Sequence, residues 1–123
     1  MGAKEKKIIN EVMLLYSKFG GRLFRMNTGR AWTGSEVVRI NKNDIILKNA
    51  RPFSAGFKGL SDLIGFTRKK INVSDVGKTF AIFTAFEVKS GSLQLTQDQE
   101  KFLKFIELSG GISKKISSKN DIK

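Results

Sequence analysis

TFAIFTAFEVK, residues 79–89, is an apolar run of β-prone residues that ends with a carboxylate and an ammonium. Successive side chains of a strand point to opposite faces of the sheet. A strand over this run therefore places Glu87 and Lys89 side by side on one face and directs Val88 into a core on the other. Because a buried strand seldom ends with two charges on one face unless they are paired or take part in chemistry, Glu87 and Lys89 are the first candidates for a functional site.

The size and composition of the chain indicate one folded domain. Its 123 residues can bury a single ordinary core, and 40% of them are hydrophobic, ten being phenylalanine. We expect a single domain over residues 1–123, with a core at about residues 4–116 and a polar tail at 117–123. No apolar run approaches the length of a membrane span, and the basic N-terminal stretch lacks a signal-peptide core. These features predict a cytoplasmic protein with no membrane partner.

The charge balance predicts a polyanionic partner. The chain carries 23 Lys and Arg against 11 Asp and Glu, a formal net charge of +12. Such an excess favours nucleic acid over a membrane surface, with solubility alone as the plainer explanation. Cysteine and histidine are both absent, which excludes disulfides, thiol nucleophiles and zinc–thiolate sites and removes the commonest general base.

Hydrophobic periodicity and turn residues predict helices at both ends of a set of strands. The apolar positions of residues 3–19 and 96–109 recur at helical spacing, and a short hairpin is predicted across Asn41–Asp44. We expect a polar turn at residues 27–30 and a loop at 48–59. The predicted strands are residues 22–26, 36–40, 45–47, a strand that begins with Ser61 and Asp62, the central strand 79–89, and an edge strand at 112–116. The strand after Asp62 and the central strand are expected to be antiparallel neighbours, since no helix lies between them.

Asp62 and Glu87 are therefore predicted to stand at the ends of two strands of one sheet. Neighbouring strands lie about 5 Å apart, so two such carboxylates can share one divalent cation. Hard cations such as Mg²⁺ take oxygen ligands, often one or two carboxylates completed by water and substrate phosphate. With no His or Cys in the chain, Mg²⁺ or Mn²⁺ is the favoured metal. Lys89 is then placed to hold an attacking water or to neutralise charge on a phosphate.

The order of these motifs resembles a known nuclease family. The chain resembles the virus-type replication-repair nuclease (VRR-NUC) domain of the PD-(D/E)XK superfamily. The resemblance is carried, in order, by a helical Glu, GLSDLIG (59–65), FEVKSG (86–91) and LTQDQ (95–99), the last of which precedes a helix. The similarity extends from about residue 4 to residue 112. It implies an α/β fold with a restriction-endonuclease-like core, in which helices flank a central mixed β-sheet in the order α-βββ(β)-α-β.

The resemblance also implies roles for individual residues. Asp62 and Glu87 would ligate the metal together with the backbone carbonyl of Val88. Lys89 matches the catalytic lysine of the family, and Gln99 matches its glutamine on the helix after the active strand.

The acidic residue on the first helix is assigned to Glu5, with Glu11 as the alternative. Ser61 stands where the family usually has proline, which puts the rigidity of that turn in doubt more than the activity.

Each candidate also has a plainer explanation. Thr96 and Gln99 form a T-x-x-Q capping box, which alone could account for Gln99. Glu87 and Lys89 could be a simple ion pair on one face of a strand, and Asp62 could cap a turn. Seven basic residues are solvated charges first and possible phosphate contacts second: Arg22, Arg25, Arg30, Lys58, Arg68, Lys69 and Lys70.

We therefore expect a Mg²⁺- or Mn²⁺-dependent deoxyribonuclease. The resemblance implies a stand-alone phage or bacterial protein, a homodimer in the bacterial cytoplasm, and activity on branched DNA similar to that of Holliday-junction resolvases in DNA repair. The alternative is a basic nucleic-acid-binding module without catalysis, and a structural component of a nucleoprotein assembly is a third possibility.

Overall fold

The computed structural model describes residues 2–27 and 29–122. Over these residues the chain forms two α-helices, eight strands and two single-turn 3₁₀ segments. The elements are α1 (Ala3–Lys18), β1 (Arg22–Arg25), β2 (Gly29–Thr33), β3 (Glu36–Arg39), β4 (Ile45–Lys48), β5 (Arg51–Ala55), β6 (Leu63–Phe66), a 3₁₀ turn (Val73–Asp75), β7 (Thr84–Val88), α2 (Gln97–Leu108), β8 (Ile112–Ile116) and a 3₁₀ turn (Lys119–Asp121). The α/β class expected from the sequence is confirmed, and both helices begin and end within one residue of their predicted bounds.

The strands associate in pairs. β2 with β5 and β3 with β4 are antiparallel, β7 with β8 is parallel, and β1 is hydrogen-bonded to β6. The expected antiparallel pairing of β6 with β7 is not observed, since within the described residues each has another partner. A continuous central sheet flanked by helices therefore stays a prediction.

The ribbon formed by β2 and β5 corrects two predictions. Gly29 and Arg30 belong to strand β2 rather than to the turn expected at 27–30. Thr28, also in that turn, lies outside the described residues. β5 occupies the middle of the loop expected at 48–59. Gly29 and Pro52 are poor strand formers, which is why the sequence indicated turns. Pro52 is tolerated because β5 pairs only with β2 among residues 2–27 and 29–122, and proline is compatible with such an edge strand.

The β3–β4 hairpin is confirmed, together with the turn chemistry that predicted it. The Asn41 side-chain oxygen accepts hydrogen bonds from the backbone N–H groups of Asn43 (2.8 Å) and Asp44 (3.0 Å). The Asn41 amide in turn donates to the Asp44 carboxylate at 2.7 Å. An Asn side chain that replaces backbone partners in this way fixes the turn and hence the register of the two strands.

The chain divides into two compact units. The first contains Met1–Ser17 and Arg22–Ile64, and the second contains Lys18–Gly21 and Gly65–Lys123. In the first unit, Ile9 of α1 is buried, and Met13 and Tyr16 are half-buried at the following four- and three-residue steps. This spacing defines one inner stripe along the helix.

The second unit has its core where α2 packs against β7 and β8. Ile106 of α2 is 1% exposed and Leu103 is also buried. The Phe66 ring lies 5.5 Å from the Phe83 ring and 5.9 Å from the Phe105 ring, a spacing typical of favourable aromatic pairs. The core of this unit thus combines the apolar face of α2 with an aromatic cluster.

β7 is shorter than the strand predicted over 79–89, and its faces carry different environments. Ala85 and Glu87 are half-buried, whereas Val88 on the opposite face is 68% exposed. The expectation that Val88 points into a core is therefore wrong. The reason is that α2 packs on the face of Glu87, as the hydrogen bond from the Ser113 hydroxyl on β8 to the Leu103 carbonyl on α2 (2.6 Å) also shows.

A side-chain cap holds the beginning of the polar C-terminal tail. The Asp121 carboxylate accepts hydrogen bonds from the N–H groups of Ser117 (2.7 Å) and Ser118 (3.1 Å). These bonds stabilise the charged carboxylate and lower the pKa of Asp121.

Neither helix in the described part of the chain has the length and hydrophobicity of a membrane span.

A buried carboxylate organises the basic connection between β6 and β7. Asp75 is 4% exposed, and its carboxylate accepts hydrogen bonds from the Lys69 ammonium (2.5 Å), the Lys78 ammonium (3.4 Å) and the Asn72 N–H (3.1 Å). The Asn72 side chain completes a capping box by accepting from the Ser74 N–H at 2.9 Å. The Lys69 ammonium above all, then the Asn72 N–H, lowers the pKa of Asp75.

Replacing Asp75 with Asn should cost stability in a pH-dependent way. Since the folded-state pKa of Asp75 is lowered, its contribution is complete above the unfolded value of about 3.9 and is lost as the pH falls through the folded value. The difference in free energy of unfolding between wild type and Asp75→Asn should therefore shrink as the pH is lowered from 7 towards 2. Urea unfolding across this range measures it, and Lys69→Gln should show the same trend. A difference that does not change with pH would contradict the ion pairs.

Gly111→Ala should destabilise the second unit. A Cβ at Gly111 would lie 2.7 Å from both the Ile106 side chain and the Phe83 carbonyl oxygen, so α2 or β7 would have to move. We expect a loss of about 1–3 kcal/mol in the free energy of unfolding, as for other overpacked sites. Gly2→Ala is the matched control because an added Cβ meets nothing within 4 Å there. Equal unfolding midpoints for the two variants would contradict this packing.

Candidate active site

The end of β7 presents Glu87 and Lys89 on one face, as the sequence predicts. Both side chains are half-buried, in contrast to exposed Val88 between them. The Lys89 N–H donates to the Ile116 carbonyl at 3.0 Å, which continues the pairing with β8 beyond the last residue of β7. The backbone that carries both charges is therefore held by the sheet.

Gln99 connects the first turn of α2 to Glu87. Its side-chain amide donates to Glu87 Oε1 at 2.8 Å, while its Oε1 accepts from the Thr96 N–H at 2.9 Å. The Gln99 N–H donates to the Thr96 hydroxyl at 3.2 Å, which completes the capping box. The capping box expected from the sequence is confirmed, and the same side chain also contacts Glu87. A catalytic role for Gln99 stays a prediction.

The second carboxylate oxygen of Glu87 has no hydrogen-bond or ion-pair partner in the described part of the chain. Over residues 2–27 and 29–122, Glu87 forms no hydrogen bond other than that with Gln99 and no ion pair within 4.0 Å. The plain ion pair between Glu87 and Lys89 is thus not present in the part of the chain that is described. Carboxylates that bind metal ions are typically held by a hydrogen bond of this kind.

Lys115 lies beside Glu87 and was not identified from the sequence. In the parallel β7–β8 pair, Lys115 is the register partner of Glu87, so both side chains point to the α2 side of the sheet. Lys115 is half-buried. Its only signal in the sequence is its position in the predicted edge strand 112–116. Its place beside Glu87 depends on a long-range pairing that local patterns do not specify.

Asp62 belongs to the first unit, immediately before β6. Its backbone carbonyl accepts a hydrogen bond from the Met26 N–H at 2.8 Å, which fixes the chain just beyond the end of β1. The side chain is exposed, and the carboxylate has no hydrogen bond or ion pair with any residue of 2–27 or 29–122. A local turn cap by Asp62 is therefore not seen in that part of the chain.

The two glutamates of α1 differ in their surroundings. Glu5 is exposed and lies one turn before buried Ile9, on the inner stripe of the helix. Glu11 instead pairs with Lys7 at 3.9 Å in an exposed i,i+4 contact. Both residues belong to the first unit, and the choice of Glu5 over Glu11 stays a prediction.

The donor set is chemically suited to a hard divalent cation. Asp62, Glu87 and the Val88 carbonyl offer only oxygen atoms, and Mg²⁺ is commonly bound by one or two carboxylates with water and phosphate. Among residues 2–27 and 29–122 no group of three or more acidic side chains forms a ready-made metal cluster. Asp62 and Glu87 are described in separate units, and their shared site stays a prediction.

The seven basic candidates are surface residues with different surroundings. All seven are exposed. Arg22, Arg25, Arg30 and Lys58 belong to the first unit, and Arg68, Lys69 and Lys70 to the second. Lys69 is held by the Asp75 carboxylate, so its charge is balanced within the protein. Lys69 therefore differs from Arg68 and Lys70 in having a carboxylate partner.

Comparison with known families gives one match that covers nearly the whole chain. The family model described as the VRR-NUC domain matches residues 3–119. No curated protein and no solved structure matches the chain.

Removing either half of the α2 capping box should cost a similar amount of stability. Thr96→Ala and Gln99→Met each abolish a side-chain to backbone hydrogen bond at the helix start. We expect each to lower the free energy of unfolding by about 1 kcal/mol, measured by urea unfolding. A Gln99→Met variant as stable as wild type would show that the Gln99 side chain does not cap the helix.

Proposed function

Since this chain belongs to the VRR-NUC domain family of nucleases, we propose that it is a divalent-metal-dependent endonuclease that hydrolyses DNA phosphodiester bonds. The family assignment read from the sequence motifs is confirmed. The observation that best supports activity is the hydrogen bond from Gln99 to Glu87, beside Lys89. It orients one carboxylate oxygen of the E-V-K motif and leaves the other open.

Asp62, Glu87 and the Val88 carbonyl would hold the cation in this proposal. A bound Mg²⁺, or Mn²⁺ in its place, would polarise the phosphate and lower the pKa of water, so that no histidine base is needed. Gln99 keeps the Glu87 carboxylate in one orientation. Glu5, or Glu11 in its place, is the proposed acidic contribution of α1.

Lys89 supplies the positive charge nearest to Glu87 along β7. Its ammonium has three hydrogen-bond donors and no acceptor, so it can hold the attacking water by donating a hydrogen bond to the water oxygen. It can equally stabilise the additional negative charge on the phosphate in the transition state. Lys115, the neighbour of Glu87 across the strand pair, adds a second positive charge on the same face.

DNA binding in this proposal comes from the overall positive charge. The net charge of +12 favours binding along a phosphate backbone, with affinity that falls steeply as salt is raised. We further propose that the substrate is branched DNA, similar to a Holliday junction, and that the protein acts as a homodimer in the bacterial cytoplasm in DNA repair. A two-fold dimer would present two sites suited to symmetric cutting.

The second candidate function is DNA binding without catalysis. The net charge favours it as much as it favours a nuclease. It predicts binding that depends on salt but is indifferent to Mg²⁺ and to Glu87→Ala.

Cleavage of a labelled four-way junction in Mg²⁺ or Mn²⁺ tests the proposal. Wild type should cut the junction, and Glu87→Ala and Lys89→Ala should each lower the rate at least about 100-fold, the usual effect of removing a group that stabilises charge in the transition state. Gln99→Met should lower it about 10- to 100-fold, as is typical when the partner of a metal ligand is lost.

Thr96→Ala is the matched control for Gln99→Met. It weakens the same helix cap but leaves the contact with Glu87 in place, so its cleavage rate should stay near that of wild type. No cleavage by wild type in either metal, or equal cleavage by Glu87→Ala, would refute the nuclease proposal. If DNA binding persisted in that case, the binding module would be favoured.

A further inference from the structure

Two adjoining hollows of the second unit share three residues but differ in chemistry. One is an apolar cavity of about 460 Å³, and the other is a basic recess of about 490 Å³. Arg68, Lys69 and Ser109 line both. All lining residues belong to the second unit. The two hollows therefore form one compartment with an apolar half and a cationic half.

Aromatic and aliphatic side chains form the apolar half. Its walls include Phe66, Phe80, Ile82 and Phe83, with Ile106 of the core also present. Phe80 is 44% exposed and Ile82 is 56% exposed, so this half is open to solvent. Its volume lies within the range of roughly 300–1,000 Å³ found for small-molecule sites.

The cations at the rim have distinct roles. The Lys69 ammonium binds Asp75 and lies 5.3 Å from the centre of the Phe80 ring. Asp75 thereby fixes Lys69, and Lys69 in turn supports the Phe80 wall. Arg68 and Lys70 have no carboxylate within 4.0 Å among residues 2–27 and 29–122. The uncompensated positive charge of the compartment comes from these two residues.

We propose that this compartment binds one unpaired nucleotide of the DNA substrate. The base enters the apolar cavity, and the adjacent phosphate binds Arg68 and Lys70 in the recess. A base provides a flat π-face that stacks on aromatic side chains whatever its identity, and an Arg guanidinium matches the geometry of a phosphate. A base within a duplex is stacked on its neighbours and cannot enter, so the compartment selects DNA with an unpaired position. This inference rests on the proposed function for the choice of DNA as ligand.

β7 connects this compartment to the candidate active site. Phe83, the residue just before β7, lines the cavity, and its carbonyl continues the pairing with β8 by accepting from the Ile112 N–H at 3.0 Å. Glu87 lies four residues on and on the same face. Four residues of strand span roughly 13 Å. Stacked nucleotides advance about 3.4 Å each along one strand of DNA. The unpaired nucleotide would then lie about four nucleotides from the phosphate that is cut.

Binding without divalent metal separates this inference from cleavage. The full chain is titrated, in EDTA, with a duplex that carries a single bulged 2-aminopurine and with the matched fully paired duplex. The ratio of the two dissociation constants and the change in 2-aminopurine fluorescence are measured. We expect wild type to bind the bulged duplex about 5- to 100-fold more tightly, the range for one stacked base.

Phe80→Ala and Arg68→Ala should each remove most of this preference. Phe57→Ala and Arg51→Ala are matched controls, because both are exposed residues of the same type in the first unit, outside the compartment, and should leave the ratio unchanged. Ile82→Ser, at a more exposed wall position, is the second variant if Phe80→Ala unfolds. Equal binding of the two duplexes by wild type, or a preference that survives Phe80→Ala and Ile82→Ser in folded protein, would overturn the inference.

The outcome is independent of the test of the nuclease. A protein that cuts a four-way junction but shows no preference for the bulge would refute the compartment and leave the proposed function intact. A protein that prefers the bulge through Phe80 and Arg68 but cuts no DNA would refute the nuclease and support the compartment.

Discussion

The hydrogen bonds of Gln99 connect the start of α2 to the end of β7, and the candidate site depends on that connection. One amide group donates to Glu87 Oε1 at 2.8 Å and accepts from the Thr96 N–H at 2.9 Å. The same residue thus fixes where the helix begins and how the carboxylate is oriented. Because α2 also packs on β7 and β8 through Leu103 and Ile106, the position of the amide is set by the core of the unit. A residue that caps the helix therefore also contacts Glu87 of the candidate site.

The acidic side chains are few, and most have a structural partner. Of eleven, six accept hydrogen bonds or ion pairs: Glu11, Glu36, Asp44, Asp75, Glu87 and Asp121. Asp98 and Glu100 lie in the first turn of α2, where negative charge is favourable. The side chains of the remaining three, Glu5, Asp62 and Glu107, have no such partner among residues 2–27 and 29–122. The family resemblance proposes two of these three, Glu5 and Asp62, together with Glu87, as acidic groups of the site. In a chain this basic, carboxylates without a partner in the described residues are scarce enough to be informative.

The sequence predicts well what local patterns determine and poorly what depends on long-range pairing. The capping box of α2, the turn at Asn41 and the shared face of Glu87 and Lys89 were all predictable, because each depends on residues a few positions apart. The β2–β5 ribbon was missed because Gly29 and Pro52 indicate turns, and only pairing with a distant strand overrides that preference. Lys115 was missed for the same reason, because its place beside Glu87 depends on the long-range parallel pairing of β7 with β8. Exposed Val88 was misjudged because the sequence does not say which face of β7 receives α2.

The apolar cavity of the second unit and the candidate active-site residue Glu87 are coupled through the register of β7. Phe83 and Glu87 are four residues apart, an even number, so both point to the α2 side of the strand. One additional residue between them would turn Glu87 to the face of Val88, away from the Gln99 amide, while Phe83 stayed in the aromatic cluster with Phe66. The cavity and the carboxylate therefore cannot shift independently along the chain. The extended run from Phe83 through β7, paired with β8 on one side and covered by α2 on one face, fixes both the distance between them and the face that they share.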